Sequence, residues 1–257
     1  MEILEGAAFQ EAAGAAGVPT PEVRRARSGD LIADVGGVAV RVHEWLDLEP
    51  PDTMLDPAKL GRLVAGLHRV PFVGSVGQDP WYAEPVGAGQ WAALLMSLRA
   101  RSAPFADELA ALVPEILALE ELLGEPARAL RTCHRDLWAD NLRVASGGGL
   151  SVFDFDNAGL ADPSQELAAV LVEYASADPA KARLIRDAYN EAGGPGRVER
   201  SQDFAMPIAQ LHHIVEAGCR RWLVAETDAG RADNEAWVRE FLDRPLTRSR
   251  IEALLVE

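Results

Sequence analysis

Three oxygen-bearing side chains in the middle of this 257-residue sequence have types and a spacing suited to phosphoryl transfer. Asn141 stands five positions after Asp136, and Asp154 follows a short apolar stretch. Phosphoryl transfer requires an acceptor hydroxyl placed in line and phosphate charge neutralised by metal. Asp136 is the candidate for orienting and deprotonating that hydroxyl. Asn141 and Asp154 carry the hard oxygen ligands that Mg²⁺ prefers.

The sequence between these residues predicts a β-hairpin that would bring the two candidate metal ligands together. Residues 142–145 and 150–155 are strand candidates, and the Gly-rich segment 146–149 is typical of a hairpin loop. Asn141 would precede the first strand and Asp154 would end the second, so both would lie at one end of the hairpin. The order matches the H-R-D-x-x-x-x-N and D-F-G elements of the protein-kinase template.

The flanking sequence predicts an α+β fold, with a small β-containing start and a long helical remainder. A helix over about residues 2–16 precedes two strands, 31–35 and 38–42, which Gly36-Gly37 would join as a tight hairpin. Residues 44–51 are typical of a linker. Apolar periodicity and capping residues then predict helices near 56–69, 87–101, 106–123, 163–176, 178–191, 201–226, 231–243 and 247–256.

The composition argues against several classes of protein. A net charge of −15 would repel a nucleic-acid backbone, and no apolar run is long enough to span a bilayer. The acidic start lacks the pattern of a secretory signal, and the two cysteines form neither a disulfide framework nor a zinc-ligand pair. We therefore expect a cytoplasmic protein without nucleic-acid or membrane partners. The acidic charge either attracts a cationic substrate or serves only solubility.

The stretch from Cys133 to Ala169 resembles the aminoglycoside phosphotransferase family of kinase-like enzymes. Its members have a His-x-Asp loop, an Asn five positions after the Asp, then Asp-Phe/Trp-Asp, and then Asp-Pro before a helix. The matching groups here are His134-Arg135-Asp136 with Asn141, Asp154-Phe155-Asp156, and Asp162-Pro163. Asp156 replaces the glycine of protein kinases, which favours the small-molecule branch of these enzymes. Asp140 is a modest departure, because the family often has glycine there.

The resemblance implies a protein-kinase-like fold with a reduced N-lobe, which contains a small antiparallel sheet, and a mainly helical C-lobe. Residues 1–47 would form the partial N-lobe and hinge, and residues 48–257 the C-lobe with the catalytic hairpin. The implied reaction moves the γ-phosphate of ATP or GTP to a hydroxyl of a small molecule, such as an aminoglycoside or amino alcohol. Mg²⁺ would be the cofactor, and backbone groups of His43 and Trp45 would hold adenine.

The start of the chain departs from the family pattern. Members usually have a Gly-rich hairpin over the phosphates and a strand lysine before the first helix, whereas this sequence has no lysine before Lys59. Glu2 or Glu5 would normally pair with that lysine and would lack its partner. We expect either a missing N-terminal segment or a natural form without these strands. The alternative function is a non-catalytic kinase-like protein that binds a ligand or partner without turnover.

Other residues have two interpretations each. His134 is expected to brace the catalytic loop rather than act as a base, and Asp156 either binds metal or braces its loop. Trp138 lies in the catalytic loop, where a core role and a substrate contact are equally open. A solvated helix face is the simpler interpretation of three residues at the position where the family binds acceptors: Glu216, Arg220 and Arg221.

Overall fold

The computed structural model describes residues 2–124 and 128–256, without the side chain of Glu2. By compactness the chain divides into two units. The first unit consists of Met1–Gln78, Ala127–Glu199 and Leu254–Glu257, and the second of Asp79–Pro126 and Arg200–Ala253. The division into residues 1–47 and 48–257 stays a prediction from the resemblance.

Helices dominate the described residues, and the strands are short, so the predicted α+β class is confirmed. The helices are α1 (Glu2–Ala15), α2 (Pro57–His68), α3 (Ala88–Ala100), α4 (Ala106–Glu120), α5 (Pro163–Val170), α6 (Pro179–Glu191), α7 (Ala205–Val224), α8 (Asp228–Asp243) and α9 (Arg248–Leu255). The strands are β1 (Val23–Arg24), β2 (Ala33–Val35), β3 (Val38–Val40), β4 (Val42–His43), β5 (Arg131–Cys133), β6 (Leu142–Val144), β7 (Leu150–Val152) and β8 (Gly159–Ala161).

The first strands of the chain form two separate antiparallel pairs. β2 and β3 form the predicted hairpin, in which Gly36 and Gly37 have φ of +64° and +86°. Such angles favour glycine and suit a tight turn between strands. The single strand predicted over 38–42 is wrong in one detail, because Arg41 separates β3 from β4. β4 pairs instead with β1, a two-residue strand too short for sequence periodicity to reveal.

Helix α1 packs against the segment that follows β7. The Phe9 ring lies edge-on to the Phe155 ring, with 5.6 Å between centroids. Gly6 approaches the Phe155 carbonyl so closely that a β-carbon there would overlap its oxygen. Gly17, with φ of +85°, follows the helix end, as the sequence predicts. The helix thus lies directly on the loop that contains Asp154.

Helices α2 and α5 begin at strong capping residues. Asp56 accepts a hydrogen bond from Lys59 N at 2.8 Å and precedes Pro57, and Asp162 accepts from Ser164 N at 2.8 Å and precedes Pro163. After α5 the chain continues as one π-helical turn, Leu171–Ala175. This turn contains Glu173, whose contact with the catalytic loop is described below.

The second unit has its own apolar core, formed where α3, α4, α7 and α8 pack together. Its largest buried members are Trp91, Phe105, Leu109, Trp222 and Phe241. None of the helices in the described part of the chain combines the length and apolarity that crossing a membrane requires.

Candidate active site

The candidate site lies between two antiparallel strand pairs in the first unit. β5 pairs with β8 through Cys133 and Gly159, and β6 pairs with β7 through Leu142 and Val152. Residues 134–141 and residues 153–158 are therefore loops, and each has a paired strand before and after it. Both loops are fixed at each end by backbone hydrogen bonds, so side chains on them have defined positions.

Asn141 and Asp154 lie at the same end of the hairpin. Phe153 N donates to Asn141 O at 2.8 Å, which extends the pairing of β6 and β7 by one step. Asp154 follows immediately, in a left-handed conformation with φ of +52°. Non-glycine residues rarely adopt this conformation, and it is found where surrounding structure enforces it. The Asp154 carboxylate at this turn is exposed.

Asp136 is held by two amide side chains. Its Oδ2 accepts from Asn141 Nδ2 at 2.8 Å and from Asn157 Nδ2 at 3.0 Å. Partial burial raises the pKa of Asp136 above its ordinary value, while the charge of His134 and the two amides act in the opposite direction. Asn157 was not identified from the sequence, where only its place three residues after Asp154 could have drawn attention to it.

The donor set at this end of the hairpin fits a divalent hard metal. Asn141 Nδ2 donates to both the backbone oxygen and the carboxylate of Asp136, which leaves the amide oxygen of Asn141 for another partner. The Asp154 carboxylate is exposed. Among the hydrogen bonds within the described residues it accepts one, from Asp156 N, and at 3.4 Å that bond is long. An amide oxygen and a carboxylate are ligands suited to Mg²⁺.

Behind the loop, the fully buried Glu166 carboxylate organises the backbone. It accepts from His134 N at 3.3 Å and from Arg135 N, and it lies 2.6 Å from His68 Nε2. Although burial opposes ionisation, His68 and these backbone donors hold the pKa of Glu166 below its ordinary value. His68 Nδ1 in turn lies 2.8 Å from the Tyr189 hydroxyl.

The same glutamate explains the conformation of Arg135, which has φ of +64°. Its peptide N–H is bound by Glu166, and its guanidinium donates to Asn157 O at 2.6 Å and to Gly77 O at 3.3 Å. A β-carbon on Gly159 would lie 2.5 Å from this guanidinium. Arg135 therefore ties the catalytic loop to the loop after Asp154.

A second carboxylate from the same stretch reaches the far end of the catalytic loop. Glu173 Oε1, in the π-helical turn, accepts from Ala139 N at 3.2 Å. Glu166 and Glu173 thus hold the two ends of the loop that contains Asp136. The sequence contains these residues in an ordinary helical pattern, so their role was not identified from it.

The surroundings of His134 favour the bracing interpretation. The ring is fully buried, its Nε2 lies 2.7 Å from Phe153 O, and it meets the Phe155 ring edge-on with 4.7 Å between centroids. Burial lowers the pKa of His134. Asp156 also has a bracing contact, since its Oδ1 lies 2.5 Å from Arg41 Nη2.

His43 ends β4, and Trp45 follows two residues later. Gln10 Nε2 is 3.2 Å from His43 Nδ1, and the Trp45 side chain is 86% exposed. Within residues 2–124 and 128–256, no backbone hydrogen bond is assigned to the Trp45 peptide groups. Their proposed contact with adenine stays a prediction.

Glu5 has partners of its own, contrary to the expectation that it would lack one. Its carboxylate accepts from Ser75 Oγ at 2.6 Å, Ser75 N at 2.8 Å and Val76 N at 3.0 Å. These bonds tie α1 to the loop after α2. The side chain of Glu2 lies outside the described residues.

In the second unit, the prediction of a solvated face on α7 is wrong for one of its three residues. Glu216 is only 8% exposed, accepts from Gln90 Nε2 at 3.1 Å and pairs with Arg220. Arg221 lies over the Trp237 ring at 4.6 Å. The structure includes a Trp81 ring stacked on His213, with centroids 5.2 Å apart.

Comparison with known proteins places the sequence in a family. Residues 2–205 match the model of the phosphotransferase enzyme family. No curated protein matches the sequence.

Several solved structures share the fold at low sequence identity. An aminoglycoside phosphotransferase from Alicyclobacillus acidocaldarius is 17% identical, with a TM-score of 0.61 over 97% of this chain and 80% of that one. A spectinomycin phosphotransferase in complex with ADP and spectinomycin is 11% identical, with a TM-score of 0.69 over 98% and 82%. A choline/ethanolamine kinase family protein from Mesorhizobium loti is 17% identical, with a TM-score of 0.53 over 99% and 83%.

Proposed function

The chain belongs to the phosphotransferase enzyme family, and on that premise we propose that it moves the γ-phosphate of ATP or GTP to a hydroxyl of a small molecule. Proteins that share this fold can catalyse different reactions, so the fold alone does not identify the reaction. The proposal therefore depends on the chemistry available at the candidate site.

The observation that carries the proposal is the 2.8 Å hydrogen bond between Asn141 Nδ2 and the Asp136 carboxylate. It joins the candidate base to a candidate metal ligand in one rigid unit. Positioning and charge stabilisation supply most of the rate enhancement in phosphoryl transfer. A preformed pair of this kind supports catalysis more than a chance arrangement of exposed carboxylates would.

In this proposal Asp136 orients the acceptor hydroxyl and receives its proton. The pKa of Asp136 is raised by burial, which makes the carboxylate a stronger base than an exposed aspartate. The Asn157 amide holds the carboxylate from a second side at 3.0 Å. Asp136 would therefore keep one orientation while an acceptor binds.

Asn141 and Asp154 would hold Mg²⁺ through their side-chain oxygens. When bound, the metal would neutralise charge on the transferred phosphoryl group. Backbone groups of His43 and Trp45 would bind the nucleotide base, and the exposed position of Trp45 is compatible with that role.

We further propose a cationic acceptor, such as an aminoglycoside or an amino alcohol. The sequence has a net charge of −15, and an acidic surface concentrates cations near a cleft. The names of the structural relatives, which include a spectinomycin phosphotransferase and a choline/ethanolamine kinase family protein, point to the same classes of molecule.

The test is Mg²⁺-dependent nucleotide binding together with ADP release over a panel of aminoglycosides, amino alcohols and neutral polyols. Asp136→Asn should bind ATP normally and lose turnover by about 100-fold or more. Asp154→Ala should lose Mg²⁺-dependent binding. Asp243→Asn, at an exposed helix end, is the control for removal of one negative charge. Full turnover in Asp136→Asn would contradict its assignment as the base.

The alternative is a protein that binds nucleotide or another ligand without turnover. Mg²⁺-dependent ATP binding without ADP release on any acceptor class would support this alternative over the enzyme.

A further inference from the structure

A short segment after α2, residues 74–77, is bound to the paired strands β5 and β8. Gly74 N donates to Thr132 Oγ1 on β5 at 2.9 Å, and Leu160 N on β8 donates to Val76 O at 3.0 Å. β5 leads directly into the catalytic loop, and β8 follows the second loop of the candidate site. A displacement of this segment would therefore act on strands that fix both loops.

The same segment is connected to the candidate base through side chains. Gly77 O accepts from Arg135 Nη1 at 3.3 Å, and Arg135 Nε donates to Asn157 O at 2.6 Å. The Asn157 amide in turn donates to Asp136 Oδ2 at 3.0 Å. Hydrogen bonds thus form a continuous path from residues 74–77 to Asp136.

The Glu5 carboxylate anchors this segment to α1. It accepts from Ser75 Oγ at 2.6 Å, from Ser75 N at 2.8 Å and from Val76 N at 3.0 Å. Although partial burial opposes ionisation, these hydrogen bonds and the charge of Arg135 hold the pKa of Glu5 below its ordinary value. The carboxylate is therefore ionised at neutral pH, and a charged acceptor makes stronger hydrogen bonds than a neutral one.

Gly74 makes the close approach of this carboxylate possible. A β-carbon on Gly74 would overlap Glu5 Oε1 and would lie 2.9 Å from Thr132 Oγ1. With glycine at this position, one glutamate can bind two successive peptide N–H groups while the preceding one bonds to β5.

We propose that Glu5 is a positioning residue for the proposed phosphoryl transfer, because it holds residues 74–77 and thereby fixes the orientation of Asp136. The inference rests on the proposed function, since its effect is on turnover. It differs from the role that the family resemblance implies, in which a glutamate of this helix pairs with a phosphate-binding lysine. Phosphoryl transfer depends on how precisely the acceptor and the base are placed. Loosening the segment should therefore slow turnover and leave nucleotide binding unchanged.

The kinetic test measures kcat per nucleotide-binding site and the KM for ATP, and calorimetry counts the ATP sites per chain. Glu5→Ala should lower kcat by about tenfold or more, while the KM for ATP changes by less than about twofold and the number of ATP sites stays the same. Glu5→Gln keeps an acceptor oxygen for the peptide N–H groups of Ser75 and Val76. It should bring kcat back to within about threefold of the unaltered chain.

Glu11→Ala is the matched control on the same helix. Glu11 pairs with Arg25 at 2.5 Å, and both side chains of this pair are exposed. Surface ion pairs contribute little to stability, so this change should leave kcat and the KM for ATP within about twofold of the unaltered chain.

Hydrogen–deuterium exchange tests the path without relying on turnover. In Glu5→Ala the amides of residues 74–77 lose their acceptor and should exchange faster. Amides of residues 134–141 should also exchange faster, by about threefold or more. Faster exchange confined to residues 74–77 would overturn the inference while the proposed function stands.

The kinetic results can overturn the inference in three further ways. A raised KM for ATP with unchanged kcat in Glu5→Ala would show that Glu5 serves nucleotide binding. Fewer ATP sites per chain with unchanged kcat per site would show a role in folding alone. Unchanged kcat, KM and site number would show that the loop keeps its position without Glu5. If the unaltered chain phosphorylates no acceptor, the proposed function fails and the role of Glu5 in turnover fails with it.

Discussion

The back and the front of the catalytic loop are built differently. At the back, His68, His134 and Glu166 are fully buried, and each is within hydrogen-bonding distance of a partner. At the front, Asp154 and Trp45 are exposed, and the structure gives their side chains few partners. The back therefore contributes to folding, and the front is where we propose that ligands bind.

This difference implies that changes on the two sides should affect different measurements. Removing a buried carboxylate leaves the groups that it bound without a partner in the interior, which is costly. Removing an exposed carboxylate leaves only solvent in its place. Back variants should unfold more easily, and front variants should fold normally but bind poorly.

The largest effect is expected at Glu166. Glu166→Ala would leave His68 Nε2, His134 N and Arg135 N without their buried acceptor. We expect a loss of about 3–5 kcal/mol in the free energy of unfolding, measured by urea denaturation. Asp154→Asn is the front variant, since asparagine also tolerates the left-handed conformation, and it should change that free energy by less than about 0.5 kcal/mol. Equal losses in the two variants would remove the distinction between back and front.

The next largest effect concerns Gly6, the residue of α1 that lies against the loop containing Asp154. In Gly6→Ala the new methyl group would overlap the Phe155 carbonyl oxygen, and backbone on both sides would have to move. We expect a destabilisation of about 1–3 kcal/mol, seen as a lower midpoint in urea.

Gly14→Ala, in the same helix, provides the control. Its methyl group would lie 3.4 Å from the Thr20 side chain, an ordinary contact. Because alanine favours helix over glycine by up to about 1 kcal/mol, this variant should be as stable as the unaltered chain or more so. A stable Gly6→Ala variant would show that α1 is not held closely against the loop.

The third prediction concerns the front edge, where Trp45 is expected to contact adenine through its backbone. Trp45→Ala keeps the peptide N–H and should change ATP affinity by less than about threefold. Trp45→Pro removes that donor and should weaken ATP binding by about tenfold, the value of one net hydrogen bond. Thermal melting should be similar for the two, since the residue is exposed. Equal affinities would exclude a contact through the Trp45 amide.

The sequence predicted the front of the site better than the back. Asn141 and Asp154 lie at one end of a hairpin, and the local sequence predicts both the loop and the strands of that hairpin. Glu166 and His68 are 98 positions apart, and Arg41 and Asp156 are also distant in sequence, so no local pattern reveals either pair. The strands β1, β5 and β8 have only two or three residues, which is too short for apolar alternation to be seen.

The smallest expected effect is a change in the pH dependence of turnover. It concerns Asp136, at the boundary between the back and the front of the loop. In the proposed mechanism Asp136 accepts a proton, which requires its deprotonated form, so turnover should fall as the pH falls through its pKa. Because burial raises that pKa, the acid limb of kcat/KM should lie above the range of an exposed aspartate. The Asn157 amide favours the charged form, so Asn157→Ala should move the acid limb to higher pH. Asn190→Ala, at an exposed position on α6, should leave it in place. A shift to lower pH in Asn157→Ala would mean that this amide does not stabilise the carboxylate that takes the proton.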